Sequence, residues 1–323
     1  MNPTNYVGHG EPWRAWRAAM AGARMHHGWI LAGKRGVGKM PFALAAAREL
    51  VAEPGVTQPA GNHPDILVLS HLPANPDEEK KRADGKPYQT KRSISVDQIR
   101  EMQQRLVTRP TLGSRRAIII DPADDLEKPA SNALLKSLEE PPAGTFFLLV
   151  THRPGRLLAT IRSRCRILRF PALEAEEVDA ILQRETPGAD QAARQAAIAA
   201  ARGSPGQAIA FVEQNLGPLH GLMRRIVNEG DPSFSLRGEL AAAMGARPDR
   251  ERQLAALELA RGVIADTMRG AAHDRIPGIV EAHAELVRLA VQAPTYNFDP
   301  GLLVMEIGGL LAGAAGNSDR SHG

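Results

Sequence analysis

Cysteine is almost missing: 323 residues contain one, Cys165. A single thiol excludes an internal disulfide framework and a zinc site built from cysteines. Such usage fits a reducing compartment, so a cytoplasmic location is expected. Aromatic residues are scarce at 4%, which argues against modules that read single strands by stacking bases on Phe and Tyr. Long apolar runs are lacking too. The longest near the C-terminus, residues 301–316, is interrupted by Glu306 and is too short to cross a bilayer. Residues 1–14 carry no basic-then-apolar leader. Secretion and membrane insertion are therefore not expected.

What is present is ordinary for a soluble chain: 43% hydrophobic and 24% charged residues. At roughly 100–200 residues per domain the length predicts two or three domains, long enough to build a core without staples. The net charge of +4 decides little alone. Its distribution says more. From His152 to Arg169 there are six arginines and no acid, set among apolar residues. A second basic stretch, residues 80–92, is mixed with Asp77, Glu78, Glu79 and Asp84 and reads as a solvated loop.

The first half alternates short apolar runs with helical patterns. Residues 27–32, 65–69, 117–120, 146–150 and 167–170 read as strands. Residues 39–52, 95–107 and 131–138 read as helices, the second opened by a capping box of Ser95 and Gln98. Such alternation implies a mostly parallel sheet covered on both faces. After Pro171 strand signals vanish. Residues 173–184, 190–202 and 206–215 read as short helices. A helical pattern then runs from 219 to 311, with breaks near residues 231–232, 247–248 and 294–300. The polar tail 313–323 is expected to fray.

Residues 33–39 read Gly-Lys-Arg-Gly-Val-Gly-Lys, a strand-to-helix turn with the Walker A spacing. In such a loop Gly33, Gly36, Val37 and Gly38 would turn backbone N–H groups toward a phosphate, and Lys39 would meet its outer oxygens. The next residue is Met40, where the pattern has a hydroxyl that ligates magnesium. A thioether is a poor ligand for that hard cation. Residues 118–121 form the matching strand ending in acid, with Asp121 in the Walker B place. Pro122 follows it and supplies no group to activate water. Three readings stay open here: phosphate binding without efficient hydrolysis, a vestigial loop, or a mere tight turn. His26 and His27, adjacent in sequence, are expected to point apart and make a poor metal pair. Cys165 is expected to be packed and inert.

Three stretches carry a resemblance: residues 118–124 (Ile-Ile-Ile-Asp-Pro-Ala-Asp), residues 131–142 (Ser-Asn-Ala-Leu-Leu-Lys-Ser-Leu-Glu-Glu-Pro-Pro) and residues 161–166 (Ile-Arg-Ser-Arg-Cys-Arg). With His63-Pro64-Asp65 and residues 96–100, they resemble bacterial clamp-loader subunits of the AAA+ kind, over residues 26–170. The resemblance implies an α/β AAA+ P-loop domain with a parallel sheet over residues 1–170. A small helical lid over 171–216 and an all-α collar over 217–323 would follow. The implied partners are the ATPase subunits gamma/tau and a delta subunit in a ring of five. Through that ring the chain would meet the sliding clamp and primed DNA, with no membrane contact.

The resemblance also implies a role for Arg164, within Ser163-Arg164-Cys165: an arginine finger that reaches a neighbouring subunit's ATP. Two departures matter. Residues 50–62 hold no cysteine, so the family's zinc module is not expected. After Gly203-Ser204-Pro205 comes Gly206, where motor members carry an arginine. With Met40, Pro122 and Gly206 together, a non-hydrolysing member is expected, requiring no cofactor. ATP or ADP binding stays open. The alternative is an active gamma/tau-like motor. A small-molecule P-loop kinase would need no helical C-terminal hundred residues. No paired carboxylates of a polymerase site are present, so polymerase activity would belong to the assembly.

Overall fold

The computed structural model describes residues 8–22, 24–293 and 298–315. The chain forms two compact units, Met1–Glu177 and Val178–Gly323.

The first unit is built on five parallel strands: β1 (Gly28–Gly33), β2 (Ile66–Leu69), β3 (Arg116–Ile120), β4 (Thr145–Thr151) and β5 (Arg166–Phe170), in the order β2-β3-β4-β1-β5. Trp29 pairs with Arg166 on one side of β1 and with Leu148 on the other. The inner strands read as unbroken apolar runs because both their faces are covered. Leu31, Ile119, Leu148 and Val150 pack against α1 (Gly10–Ala21) and α2 (Lys39–Val51) through Trp13, Trp16, Phe42 and Leu50. On the opposite face Ile30, Ile118, Ile120 and Leu149 meet Ile99 and Met102 of α4 (Val96–Leu106) and Leu134 and Leu138 of α5 (Lys128–Glu139). Ile161 of α6 (Ala159–Arg162) packs there too. Successive strand residues point to opposite faces, so one run feeds both cores.

Two elements differ from expectation. Helix α1 was unforeseen: its buried stripe is short, Pro12, Trp13 and Trp16, and is interrupted by Arg14. The stretch expected as a solvated loop begins as a helix, α3 (Pro76–Ala83). Asn75 caps it, accepting from the amides of Asp77 and Glu78 at 3.0 Å each. Its charges remain largely exposed and pair along the helix. The expected capping box of α4 is present, with Gln98 Oε1 accepting from the Ser95 amide at 3.1 Å.

The second unit is helical among its described residues. It holds most of α7 (Ala175–Glu185), then α8 (Gln191–Ala201), α9 (Pro205–Glu213), α10 (Gly217–Glu229), α11 (Ser235–Met244), α12 (Arg250–Thr267), α13 (Ile276–Gln292) and α14 (Pro300–Ala314). Its breaks have local causes. Asp190, Ser204, Asp249 and Asp299 each cap the helix that follows, and Pro205 and Pro300 stand in the first turn, where no amide is needed. Leu240, Leu257, Ile264, Leu286 and Leu311 are fully buried. Helix α14 continues to Ala314; the rest of the expected frayed tail, residues 316–323, lies outside the described residues.

Candidate nucleotide loop and exposed arginine

The loop after β1 turns through Gly36 and Gly38, whose φ angles of 79° and 100° lie in the left-handed region that favours glycine. Gly38 is the N-cap of α2, so the helix N-terminus faces the loop. Val37 is buried, and its carbonyl accepts from His9 Nε2 at 2.6 Å. His9 thus ties the segment before α1 to the loop, and its ring stands edge-on to Phe170.

Lys39 is 3% exposed. Its ammonium donates back to the loop carbonyls of Gly33 and Lys34, at 2.7 and 2.5 Å. Burial pulls its pKa down to about 8, opposed by the carboxylates of Asp121 and Asp124. Asp121 stands just beyond β3, and burial raises its pKa against the pull of Lys39. Lys39 and Asp121 thus share one electrostatic environment at the C-terminal edge of the sheet, where ligands bind in open α/β folds. Pro122 follows Asp121 through a cis peptide bond.

This edge also gathers residues that the motif reading passed over. Asp124 accepts from the Thr151 hydroxyl and the His152 amide, at 2.6 Å each. It locks the end of β4 beside the loop. His152 is pushed down to about 4, first by burial and then by Lys39, so it is neutral near pH 7. A groove of ≈ 670 Å³ opens here, lined among others by Gly33, Lys34, His152, Arg169 and Phe170. The position of His152, directly after a buried strand on the loop side, was the available signal.

The donor set fits magnesium poorly. Met40 packs against the apolar core instead of facing the loop with a hydroxyl. Asp124 already holds a hydroxyl and backbone amides. Among the described residues no group of three His, Cys, Asp or Glu is placed to hold a metal ion.

Arg164 lies elsewhere. It follows α6 and precedes β5, and Gly28 passes so close that an added Cβ would stand 2.9 Å from the Arg164 carbonyl and 3.0 Å from Cys165 Sγ. Gly28 opens β1 and Gly33 closes it, so Ser163, Arg164 and Cys165 sit at the opposite edge of the sheet from Lys39. At ~3.3 Å per residue the strand separates the two edges by roughly 16 Å. The sequence left open where Arg164 would find an acid. It is Glu139, whose Oε1 lies 2.7 Å from Nη2 of Arg164. Cys165 packs against the core, and burial pushes its thiol up to about 12, which leaves almost no thiolate near neutral pH.

The two histidines correct an expectation. Their rings do not point apart; they stack at 4.8 Å. His26 Nδ1 and His27 Nε2 are nonetheless engaged by the backbone of Gly28 and Leu138.

Residues 8–174 match the family described as DNA polymerase III, delta subunit. The chain is 32% identical over 208 residues to the DNA polymerase III subunit delta' of Pseudomonas aeruginosa, covering 60% of this chain and 58% of that protein. With subunit delta' of Escherichia coli the identity is 33% over 212 residues, covering 61% and 57%. A DNA polymerase III subunit tau of Salmonella typhimurium is 32% identical over 59% of this chain and 29% of its own. The matched region thus spans less than two thirds of these relatives. Among solved structures, a gamma subunit-related protein of Thermotoga maritima superposes with a TM-score of 0.52 at 16% identity, covering 93% of this chain and 98% of that one. The RuvB branch migration motor of Thermotoga maritima gives 0.50 at 20%, covering 94% and 89%. These likenesses place the fold with AAA+ P-loop proteins. With more than half its length matched by one family description, the chain belongs to the DNA polymerase III delta subunit family.

Proposed function

We propose that the chain is a non-hydrolysing, delta-prime-type subunit of a cytoplasmic clamp loader. It joins gamma/tau ATPase subunits and a delta subunit in a five-membered ring that places the sliding clamp on primed DNA. Its own part is to supply Arg164 to the ATP of a neighbour. The observation that carries this reading is the separation of Arg164 from Lys39 by the length of β1. An arginine at one edge of the sheet cannot serve a phosphate held at the other edge of the same domain. It can serve one held by a neighbour.

The chemistry suits the residue. A planar guanidinium matches two phosphate oxygens and is charged at every working pH. In a neighbour's site it offsets charge gathering on the transferred phosphoryl group, an effect worth ~10³–10⁵ in rate where measured. The chain's own loop is read as non-hydrolysing because Met40 and Pro122 supply neither a magnesium ligand nor a base. Whether the loop holds ATP or ADP, the reading requires no turnover there.

The test is reconstitution with gamma/tau, delta, clamp and primed DNA. Arg164→Ala should join the ring and reduce clamp- and DNA-stimulated ATP hydrolysis at least tenfold at the affected site. An unchanged rate in a correctly assembled ring would overturn the assignment.

A further inference from the structure

Glu139 is the last residue of α5, and a carboxylate there faces the negative end of the helix dipole. Local helix energetics therefore disfavour it. Its partner is Arg164, 2.7 Å away. The other terminal nitrogen of that guanidinium, Nη1, donates to the Thr160 carbonyl at 3.0 Å and lies 3.4 Å from Ser163 Oγ. Both prongs that would grip a phosphate are thus turned back onto α5 and α6. The backbone beneath offers little freedom, because Gly28 passes against Arg164 and Cys165 with no room for a methyl group. To reach outward, the side chain must rotate and leave Glu139.

We propose that Glu139 is a positioning residue for Arg164. It holds the guanidinium folded back and charge-compensated in the free subunit, and cedes it to the phosphates of a neighbour's nucleotide. This rests on Arg164 acting in trans. The pair suits a releasable hold. Its side chains are 36% and 50% exposed, so water screens the attraction. A polyphosphate carrying several negative charges displaces a single carboxylate. An empty neighbouring site leaves Arg164 in place, so its charge is delivered only where nucleotide is bound.

The experiment measures ATP hydrolysis by the reconstituted ring. Glu139→Ala should lower the apparent KM for ATP about two- to fivefold, the range of a screened surface pair. At saturating ATP kcat should hardly change, since Arg164 has left Glu139 in both proteins. In an Arg164→Ala background, Glu139→Ala should change nothing. In the free full-length chain, slow rotation of the ¹⁵N-labelled Arg164 guanidinium should become fast in Glu139→Ala and less so in Glu139→Gln. An unchanged or raised KM, or an Arg164 signal indifferent to Glu139, overturns this role while a damaging Arg164→Ala keeps the finger standing. A harmless Arg164→Ala overturns both.

Discussion

Lys39 Nζ lies 2.7 Å from the carbonyl oxygen of Gly33, the last residue of the strand that leads into its own loop. The cation is thereby folded onto the loop's carbonyls and buried, which is why its pKa falls to about 8 from 10.5. The sign follows directly. The unfolded chain keeps this proton to higher pH than the folded one, so stability rises as pH climbs from about 8 to about 10.5. The gap corresponds to ~3 kcal/mol at most. Urea unfolding of the wild type and Lys39→Met across that window should show a steeper rise in the wild type. Parallel curves would contradict the burial argument.

The same loop should not turn over ATP. With Met40 and Pro122 in place of a metal ligand and a water activator, the isolated chain should hydrolyse ATP no faster than a buffer blank. Steady turnover that Lys39→Ala abolishes would restore the motor reading.

Asp65 is 1% exposed and accepts from the amides of Thr111 and Leu112 at 2.6 and 2.8 Å. His63 Nδ1 accepts from the Asp65 amide at 3.0 Å and fixes that turn. The His-Pro-Asp stretch is thus a brace between the entry to β2 and the loop before β3. Asp65→Ala should cost on the order of 2–4 kcal/mol, because two buried amides lose their acceptor. Asp65→Asn, which keeps one carbonyl oxygen, should cost about half as much. A shift in denaturation midpoint below about 1 kcal/mol for Asp65→Ala would refute the brace.

Arg164→Lys should rescue the arginine's function poorly, since an ammonium cannot form the two-pronged contact. Arg156→Ala removes the same charge outside the Ser-Arg-Cys motif and should leave ATP hydrolysis by the ring within about twofold. Equal losses from Arg164→Ala and Arg156→Ala would mean that general attraction to DNA, not a directed contact, underlies the effect.

Leu302 on α14 is 73% exposed and Met305 is exposed beside it. If the helical unit joins the ring, Leu302→Glu should leave the melting temperature within about 2 °C. Affinity for the assembled partners should weaken at least about fivefold, as for loss of an interface side chain worth more than ~1 kcal/mol. Unchanged binding would place the interface elsewhere.

The inner strands of the sheet were legible because both their faces are buried. An apolar run such as residues 117–120, four residues long and mostly β-branched, suits a fully buried strand better than a helix. The helical second half was legible from apolar residues at helical spacing, with prolines at the breaks. Helix α1 was not, because its burial depends on Phe42 and β1 meeting two tryptophans set among arginines. Helix α3 was hidden because its charges pair with each other along the helix and bury almost nothing.

For the candidate site the division is similar. The glycines at 36 and 38, the lysine after them and the Ser-Arg-Cys triplet were written in local order, since a turn and a short motif are decided by neighbouring residues. Only the tertiary structure decided that β5 lies against β1, which puts Arg164 and Lys39 on opposite edges of one sheet. It also decided that Glu139 meets Arg164 and that His9 meets Val37. Those pairs are 25 and 28 residues apart in sequence. Their contacts follow from how helices pack on the sheet, and no local pattern encodes that.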